Sequence, residues 1–264
     1  MTPRHIVYSR HILNLAILLH AFGLFLTFFR GHHTNFGNYM FMVLEIDHSK
    51  AFSIETITIS IFLFFTVINV FFTRFFILFP IFLYILFEAW AGYFQGGYIF
   101  SELTFGAQVL RYVAPLSVLV LATWPFTNVL SDVKRTLVTS WILRIGIAVV
   151  FITHGAECLL GSSQFVDLII GSGNNLLGIR ASETTALQIM KVIGIVDIIV
   201  AIVVLIKPNK PILMWAIFWA LITALSRMTA LGIGAYTEVL MRASHVLGPL
   251  AVYILNRPHL FKKI

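Results

Sequence analysis

The sequence predicts an all-α polytopic membrane protein built from two copies of a four-helix unit. Three observations carry that expectation. First, hydrophobic residues make up 59% of the 264 residues and charged residues only 11%, where a soluble domain carries roughly 25% charged residues; mean hydropathy is +0.94. Second, eight apolar stretches approach the roughly 20 residues that a spanning helix requires. Third, SRHILNLAILLHAFGLFL (9–26) overlays LRIGIAVVFITHGAECLL (143–160) without a gap, placing Arg10 on Arg144 and His20 on His154. Apolar residues match one another easily; a matched Arg and a matched His inside two membrane-length segments are harder to obtain by chance.

The self-similarity continues downstream, and a repeat of this length sets the architecture before any other reading. Ser53-Ile-Glu55 falls on Ser182-Glu183. Asn69 lies fourteen residues after Glu55, and Asp197 fourteen after Glu183. Pro80 falls on Pro208. AGYFQGGYIFSE (91–102) overlays RMTALGIGAYTE (227–238), pairing Gly96 with Gly232 and Glu102 with Glu238, and Pro115 answers Pro249 after a two-residue slip. The expected division is a first unit over 1–123, a cytoplasmic linker over 124–138 and a second unit over 139–264.

Taken in order, the expected spans lie near 11–29, 54–73, 75–95, 104–123, 139–160, 185–206, 211–231 and 237–255. The first is long and lacks an A-x-A-like cleavage site, so it reads as an uncleaved span. Spans two and three meet almost directly at Thr73-Arg74. Spans six and seven meet at Lys207-Pro-Asn-Lys-Pro211, a turn bounded by proline. Segments 30–52 and 161–183 are the longest loops. The second of these mixes Gly, Ser and Asn with a short apolar patch and is expected to lie on or dip into the interface.

Basic residues fix the expected orientation. Arg4, Arg10, Arg74, Lys134, Arg135, Lys207, Lys210, Arg257, Lys262 and Lys263 gather on one side. Arg30, Lys50, Arg180 and Lys191 fall on the other. Cytoplasmic loops are enriched in Lys and Arg, so both termini are expected in the cytoplasm and the chain in the inner membrane. Trp124, Trp141 and Trp215 fall at cytoplasmic span ends, as interfacial anchors do. The pI near 9.7 reflects this loop bias; no Lys/Arg run suggests nucleic acid. With Cys158 the one cysteine, no intrachain disulfide or C-x-x-C relay is possible.

Ionisable residues inside spans cost several kcal/mol, roughly 2.5–3.5 on insertion scales, and persist where they pair or act. Here they are His20, Glu88, Arg111, Arg144, His154, Glu157, Asp197, Arg227, Glu238, Arg242 and His245. Arg144 is expected to snorkel to the cytoplasmic face, Asp197 to sit near mid-membrane, and the rest of the second-unit set to occupy the outer half. His154 and Glu157 are i,i+3, Glu238 and Arg242 i,i+4, and Arg242 and His245 i,i+3, so span eight is read as one polar stripe. Glu157 is matched by Gly23, Asp197 by Asn69, Arg227 by Ala91 and His245 by Arg111. The second unit is therefore the expected site, and the Phe-rich first unit reads as a packing or lipid-facing half. The polar set is either a packing network or a pocket for an anionic or redox-active molecule.

Three further possibilities rest on individual side chains. His20 and His154, at matched depth, suggest axial ligands for a b-type haem, or else hydrogen-bonded structure. His32, His33, Asp47 and His48, with Glu45, crowd one outer loop with N/O donors suited to Zn or Cu. Cys158, four residues after His154, is a packing residue or a reactive thiol.

Arg144-Ile-Gly146 opening a span, His154-Gly-x-Glu157 at its outer end, a long Gly-containing loop and Asp197 in the next span resemble the DoxX-like family. The resemblance covers about 139–256 well and 9–123 weakly. It implies compact four-helix membrane units that partner redox or sulfur-handling complexes, among them the small subunit of thiosulfate:quinone oxidoreductase. The chain departs from the family in fusing two units and in carrying His-Gly-Ala-Glu where Gly followed by Lys is frequent. The leading functional expectation is a membrane subunit of a redox complex that holds or passes a quinone, with His154, Glu157, Asp197, Arg227, Glu238, Arg242 and His245 lining the site. The lipid bilayer and other membrane or periplasmic redox subunits are the expected partners. A small-anion or proton-coupled transporter and a non-catalytic scaffold are the alternatives. No nucleophile motif, phosphate loop or dinucleotide fingerprint points to stand-alone catalysis.

Overall fold

The structure is a computed structural model that describes residues 3–94 and 100–257. Gly96, Lys262 and Lys263 lie outside the described residues. All regular structure within that range is helical. The first half runs α1 (Arg4–Phe29), α2 (Asn35–Met42), α3 (His48–Phe71), α4 (Phe75–Ala91), a 3-10 turn at Gly92–Phe94, α5 (Ser101–Ala107) and α6 (Val109–Ala122). After a short α7 (Phe126–Val129), the second half runs α8 (Asp132–Leu159), α9 (Ser163–Leu177), α10 (Glu183–Ile206), α11 (Lys210–Leu231), a 3-10 turn at Ile233–Ala235, α12 (Tyr236–Met241) and α13 (Ala243–Leu255). Among the described residues seven helical stretches are long and apolar enough to cross a membrane, and α12 with α13, bent by 43° at Arg242, make an eighth if counted together. The chain is a multi-pass helical membrane protein.

The helices begin and end for local reasons. The hydroxyl of Ser131 accepts from Lys134 N (3.4 Å) and starts α8 seven residues before the expected span, so most of the expected linker is helix. Ser182 caps α10 through Thr185 N (3.2 Å) and Asn209 caps α11 through Ile212 N (3.1 Å). Pro211 then lies in the first turn of α11, where a missing N–H costs nothing. α9 ends at Gly178 in the left-handed conformation (φ 66°). The expected interfacial segment is thus a 15-residue amphipathic helix, too short to span.

The same arrangement of neighbours occurs in both halves. α1 packs on α3, α6, α12 and α13; α8 packs on α10, α13, α5 and α6. α2 lies on α3 and α4, and α9 on α10 and α11. α1 and α8 are the central helices, and their buried faces (Leu13, Ile17, Ala21; Leu143, Ile147, Phe151) join one core with α6 and α13. α8 and α10 meet backbone to backbone: a Cβ built on Gly194 would stand 2.7 Å from Gly155 O, and one on Gly155 2.9 Å from Gly194 O. Small residues permit such approach where no hydrophobic effect drives helices together.

Two spans differ from the continuous helices expected over 104–123 and 237–255. Each is broken, at Gln108 and at Arg242. There Arg111 N bonds Gln108 O (2.9 Å) and His245 N bonds Arg242 O (2.9 Å), one residue short of the α-helical ladder. The carbonyls of Ala107 and Met241 lose those partners, and in a membrane a backbone acceptor must find another. His245 Nε2 meets Ala107 O at 3.1 Å and His20 Nδ1 meets Met241 O at 3.1 Å. The stripe Glu238–Arg242–His245 therefore does not run along one helix. Glu238 and Arg242 hold their i,i+4 contact (3.3 Å), while His245 begins a differently directed segment.

Candidate functional site

Two adjoining cavities collect the intramembrane polar residues. One, of about 210 Å³, is mostly apolar and lies between α8, α9, α10 and α11, walled by Phe151, Ile169, Met190, Ile193, Trp219 and Ala220. The other, of about 650 Å³, is polar and bordered by both halves. His154, Phe165, Leu168, Arg227, Arg242 and His245 line both and form the wall between them. Asp197 belongs to the apolar chamber alone; Glu157 and Glu238 belong to the polar cavity alone. All seven residues singled out in the sequence thus border one or other of these two adjoining cavities.

Within the wall, His154 Nδ1 lies 2.8 Å from Glu157 Oε2. The His154 ring stands 5.7 Å from that of Phe165 and 6.3 Å from that of His245. Among the described residues His245 Nδ1 has no hydrogen-bond partner. Arg227 is 7% exposed. Its guanidinium donates to Thr223 O and, at 3.4 Å, to Ser226 Oγ on its own helix, and lies 6.0 Å from the Phe165 centroid. Among the described residues no carboxylate oxygen lies within 4.0 Å of it. Asp197 is buried, and its Oδ1 likewise has no partner among the described residues. The two cavities therefore combine a buried cation with no ion pair within 4.0 Å among the described residues, a His–carboxylate pair, and an apolar chamber bordered by a buried carboxyl group.

The first half is more than a packing half. Arg30, Glu88, Gln108 and Arg111 border the polar cavity. Arg30 reaches across to Gly234 O and sits 5.7 Å over the Tyr236 ring. Glu88 accepts from Asn35 N (2.8 Å) and Phe36 N (2.9 Å), holding the N-terminus of α2. Glu88 and Arg111 carry the same signal, charge inside a span, as the second-half residues. Gln108, Ser172, Trp219, Thr223 and Ser226 carry no such signal and are located by the fold alone.

The haem pair and the metal set do not assemble. His20 is buried on Met241 O and lines neither cavity, whereas His154 is engaged with Glu157 in the wall. Two histidines committed to separate partners do not offer axial ligation to one iron. Of the loop donors, His33 and His48 meet (Nε2 to Nε2, 3.0 Å), and His33 Nδ1 contacts the fully buried Glu55 at 2.6 Å. Glu55 also accepts from Thr34 N and Thr34 Oγ1, both 2.7 Å. Asp47 is spent capping α3: it accepts from the Ser49 hydroxyl and from Ser49 N and Lys50 N. The Ser49 hydroxyl foremost, then Lys50 N, holds the Asp47 carboxyl below the usual carboxylate range. His32 faces the polar cavity. Among the described residues no three His, Cys, Asp or Glu side chains gather as a metal site. Cys158 is buried at the edge of the apolar chamber.

Compared with protein-family models, curated proteins and solved structures, the chain matches none.

Proposed function

We propose that the chain is the membrane subunit of a redox complex and holds or passes a quinone-like molecule. Its apolar part would sit in the 210 Å³ chamber and its polar head at the wall His154, Arg227, Arg242 and His245. The observation that carries this reading is the shared wall. An apolar compartment and a larger polar one meet on hydrogen-bond donors, the arrangement a ring with carbonyl or hydroxyl groups requires. On this reading the spans number eight, the two halves are fused DoxX-like units related by duplication, and both termini face the cytoplasm of a cell with an inner membrane. Their support is the recurrence of element order and neighbours in the two halves, together with the Lys/Arg asymmetry of the loops. Membrane or periplasmic redox proteins would supply and remove electrons.

The test is titration of the purified protein with a short-chain benzoquinone, read by tryptophan fluorescence, because Trp219 lines the chamber. Saturable quenching that Trp219→Phe removes supports the reading. Quenching that is linear in probe and indifferent to Trp219→Phe defeats it.

One observation favours a second reading, transport of a small anion. Arg30, Arg111, Arg227 and Arg242 all border the polar cavity, and an intramembrane carboxyl such as Asp197 could couple protons to the movement. Uptake of a radiolabelled anion by proteoliposomes, with no quinone binding, would select it.

A further inference from the structure

The wall between the cavities places a His–carboxylate contact and a buried arginine side by side. Three positions matter. His154 borders both cavities, Glu157 borders only the polar one, and their side chains touch at 2.8 Å. With Nδ1 committed to Glu157, Nε2 is the ring nitrogen left for a group in the chamber. A proton taken up at Nε2 is matched by release of the Nδ1 proton to the carboxylate, which moves charge from chamber to cavity without moving an atom far. Arg227 stands in the same wall, 7% exposed and with no carboxylate within 4.0 Å among the described residues. A guanidinium in that state is costly within a membrane unless an anion joins it.

We propose that the chamber binds an acidic hydroxyl compound of the hydroquinol type as its oxyanion, with His154 and Glu157 carrying its proton to the polar cavity and Arg227 receiving the negative oxygen. The O–H bond breaks and an N–H bond forms at His154 Nε2. The Nδ1 proton passes to Glu157, which releases it to water in the polar cavity. No electron is transferred, so no oxidant is needed. The inference rests on the quinone reading above and adds to it the form in which the ligand is held and the route of its proton.

Magnitudes permit the step. A phenolic hydroxyl ordinarily keeps its proton to about pH 10, so release at pH 7 asks the site for about three units in favour of the anion. A single opposite charge nearby supplies about 1–3 units. Here Arg227 and Arg242 lie in one wall, and Arg111 borders the polar side. The other charged or titratable groups bordering the two cavities are Arg30, His32, His33 and Glu88 from the first half, and Cys158 on α8, Asp167 on α9, Asp197 on α10, Glu238 on α12 and His245 on α13 from the second. Glu238 is already engaged with Arg242 at 3.3 Å. Arg227 has no carboxylate within 4.0 Å among the described residues, so its guanidinium is the one in the wall placed to pair with the ligand.

The experiment is calorimetric titration of the full chain in lipid nanodiscs with a short-chain benzoquinol under anaerobic conditions at pH 7, repeated in two buffers of different ionisation enthalpy. The buffer dependence counts protons. Wild type is expected to release about one proton per quinol bound, and the matching oxidised quinone, which has no hydroxyl, none. Glu157→Gln, nearly isosteric, should abolish the release while retaining quinol binding. Arg227→Met should weaken quinol at least tenfold and the quinone far less. Glu183→Gln, at the N-terminus of α10, is the control and should change neither. Quinol binding without proton release, or release that survives Glu157→Gln, overturns this inference and leaves the quinone reading standing. Failure of both quinol and quinone to bind overturns the quinone reading itself.

Discussion

Gly194→Ala tests the geometry on which the site depends. The added methyl would stand 2.7 Å from Gly155 O, 2.9 Å from Leu159 Cγ and 3.2 Å from Cys158 Cβ. The first of these is backbone and cannot rotate away, so α8 and α10 must separate. Two terms of opposite sign compete. Alanine gains about 0.8–1.0 kcal/mol over glycine in a helix interior, and overpacking costs about 1–3 kcal/mol. Because the obstacle is a carbonyl oxygen, the upper end of the second range applies, and the net expectation is a loss of about 2 kcal/mol. The damage should also reach the site, since His154 and Glu157 flank Gly155 on one helix and Asp197 lies a turn from Gly194 on the other. The assay is reversible unfolding in mixed micelles, with Gly173→Ala as control. At Gly173 a Cβ meets only Ile179 O at 3.5 Å, an ordinary contact, so that variant should be neutral or gain up to about 1 kcal/mol. If Gly194→Ala is as stable as Gly173→Ala, the close crossing of α8 and α10 is wrong.

Three other outcomes are expected. Met190→Phe combined with Ala220→Tyr should fill the apolar chamber, reducing short-chain quinone affinity by at least tenfold in the fluorescence titration while leaving expression and thermal stability near wild type. Thr34→Ala removes both the cap on Gly37 N (3.3 Å) and a hydroxyl donor to the buried Glu55 (2.7 Å); a cap alone is worth about 0.5–2 kcal/mol, so a loss of about 2 kcal/mol should appear in the same unfolding assay, with Thr34→Ser largely restoring it. Asp47 has a lowered pKa in the folded chain, so its contribution is present above the ordinary carboxylate value of 3.8 and disappears as pH falls through the lower folded value. Hydrogen exchange in the first turn of α3 should accelerate over that acidic window in wild type, and Asp47→Asn should flatten the dependence.

The spans were legible because a run of about 20 apolar residues has one physical explanation. The polar set was legible because charge inside such a run demands one too. The breaks at Gln108 and Arg242 were not. ELTFGAQVLRYV and EVLMRASHVLGP carry ordinary helix formers through the break, and the nearest prolines, Pro115 and Pro249, lie seven residues downstream. What those prolines do is remove the N–H that would otherwise reach the carbonyls of Arg111 and His245 four residues back, loosening the segment without marking the bend. Spacing therefore assigned His245 to the stripe of Glu238 and Arg242, whereas the bend turns it toward Ala107 O. The loop histidines failed for a different reason. Composition placed His32, His33, Asp47 and His48 together, but Asp47 sits where a helix starts and Glu55 lies one helix face away, so capping and a buried carboxylate claimed the donors.

The asymmetry between the halves has a steric origin that side-chain volume exposes. In the register that overlays Glu55 on Glu183, Phe62 falls on Met190; in the register that overlays Ala91 on Arg227, Tyr84 falls on Ala220. Phe62 and Tyr84 pack with ring centroids 4.4 Å apart, tilted at 37°, in the first half, and Met190 and Ala220 line open space in the second. Interiors pack without voids unless a void is used, and the difference of two aromatic rings is a difference of a chamber. The same comparison accounts for the polar residues nearby. Asn69, opposite Asp197, donates through its amide nitrogen to Asn14 Oδ1 at 3.1 Å on a neighbouring helix, whereas the Asp197 carboxyl group lines the chamber. Gly23, opposite Glu157, leaves no room for a side chain, since a Cβ there would stand 2.9 Å from Thr237 O. One half is closed by aromatic rings, and the other is open beside Arg227 and Asp197. A scaffold that served packing alone would have no reason to carry Arg227 and Asp197 in the open half, where each raises the cost of keeping the protein in a membrane.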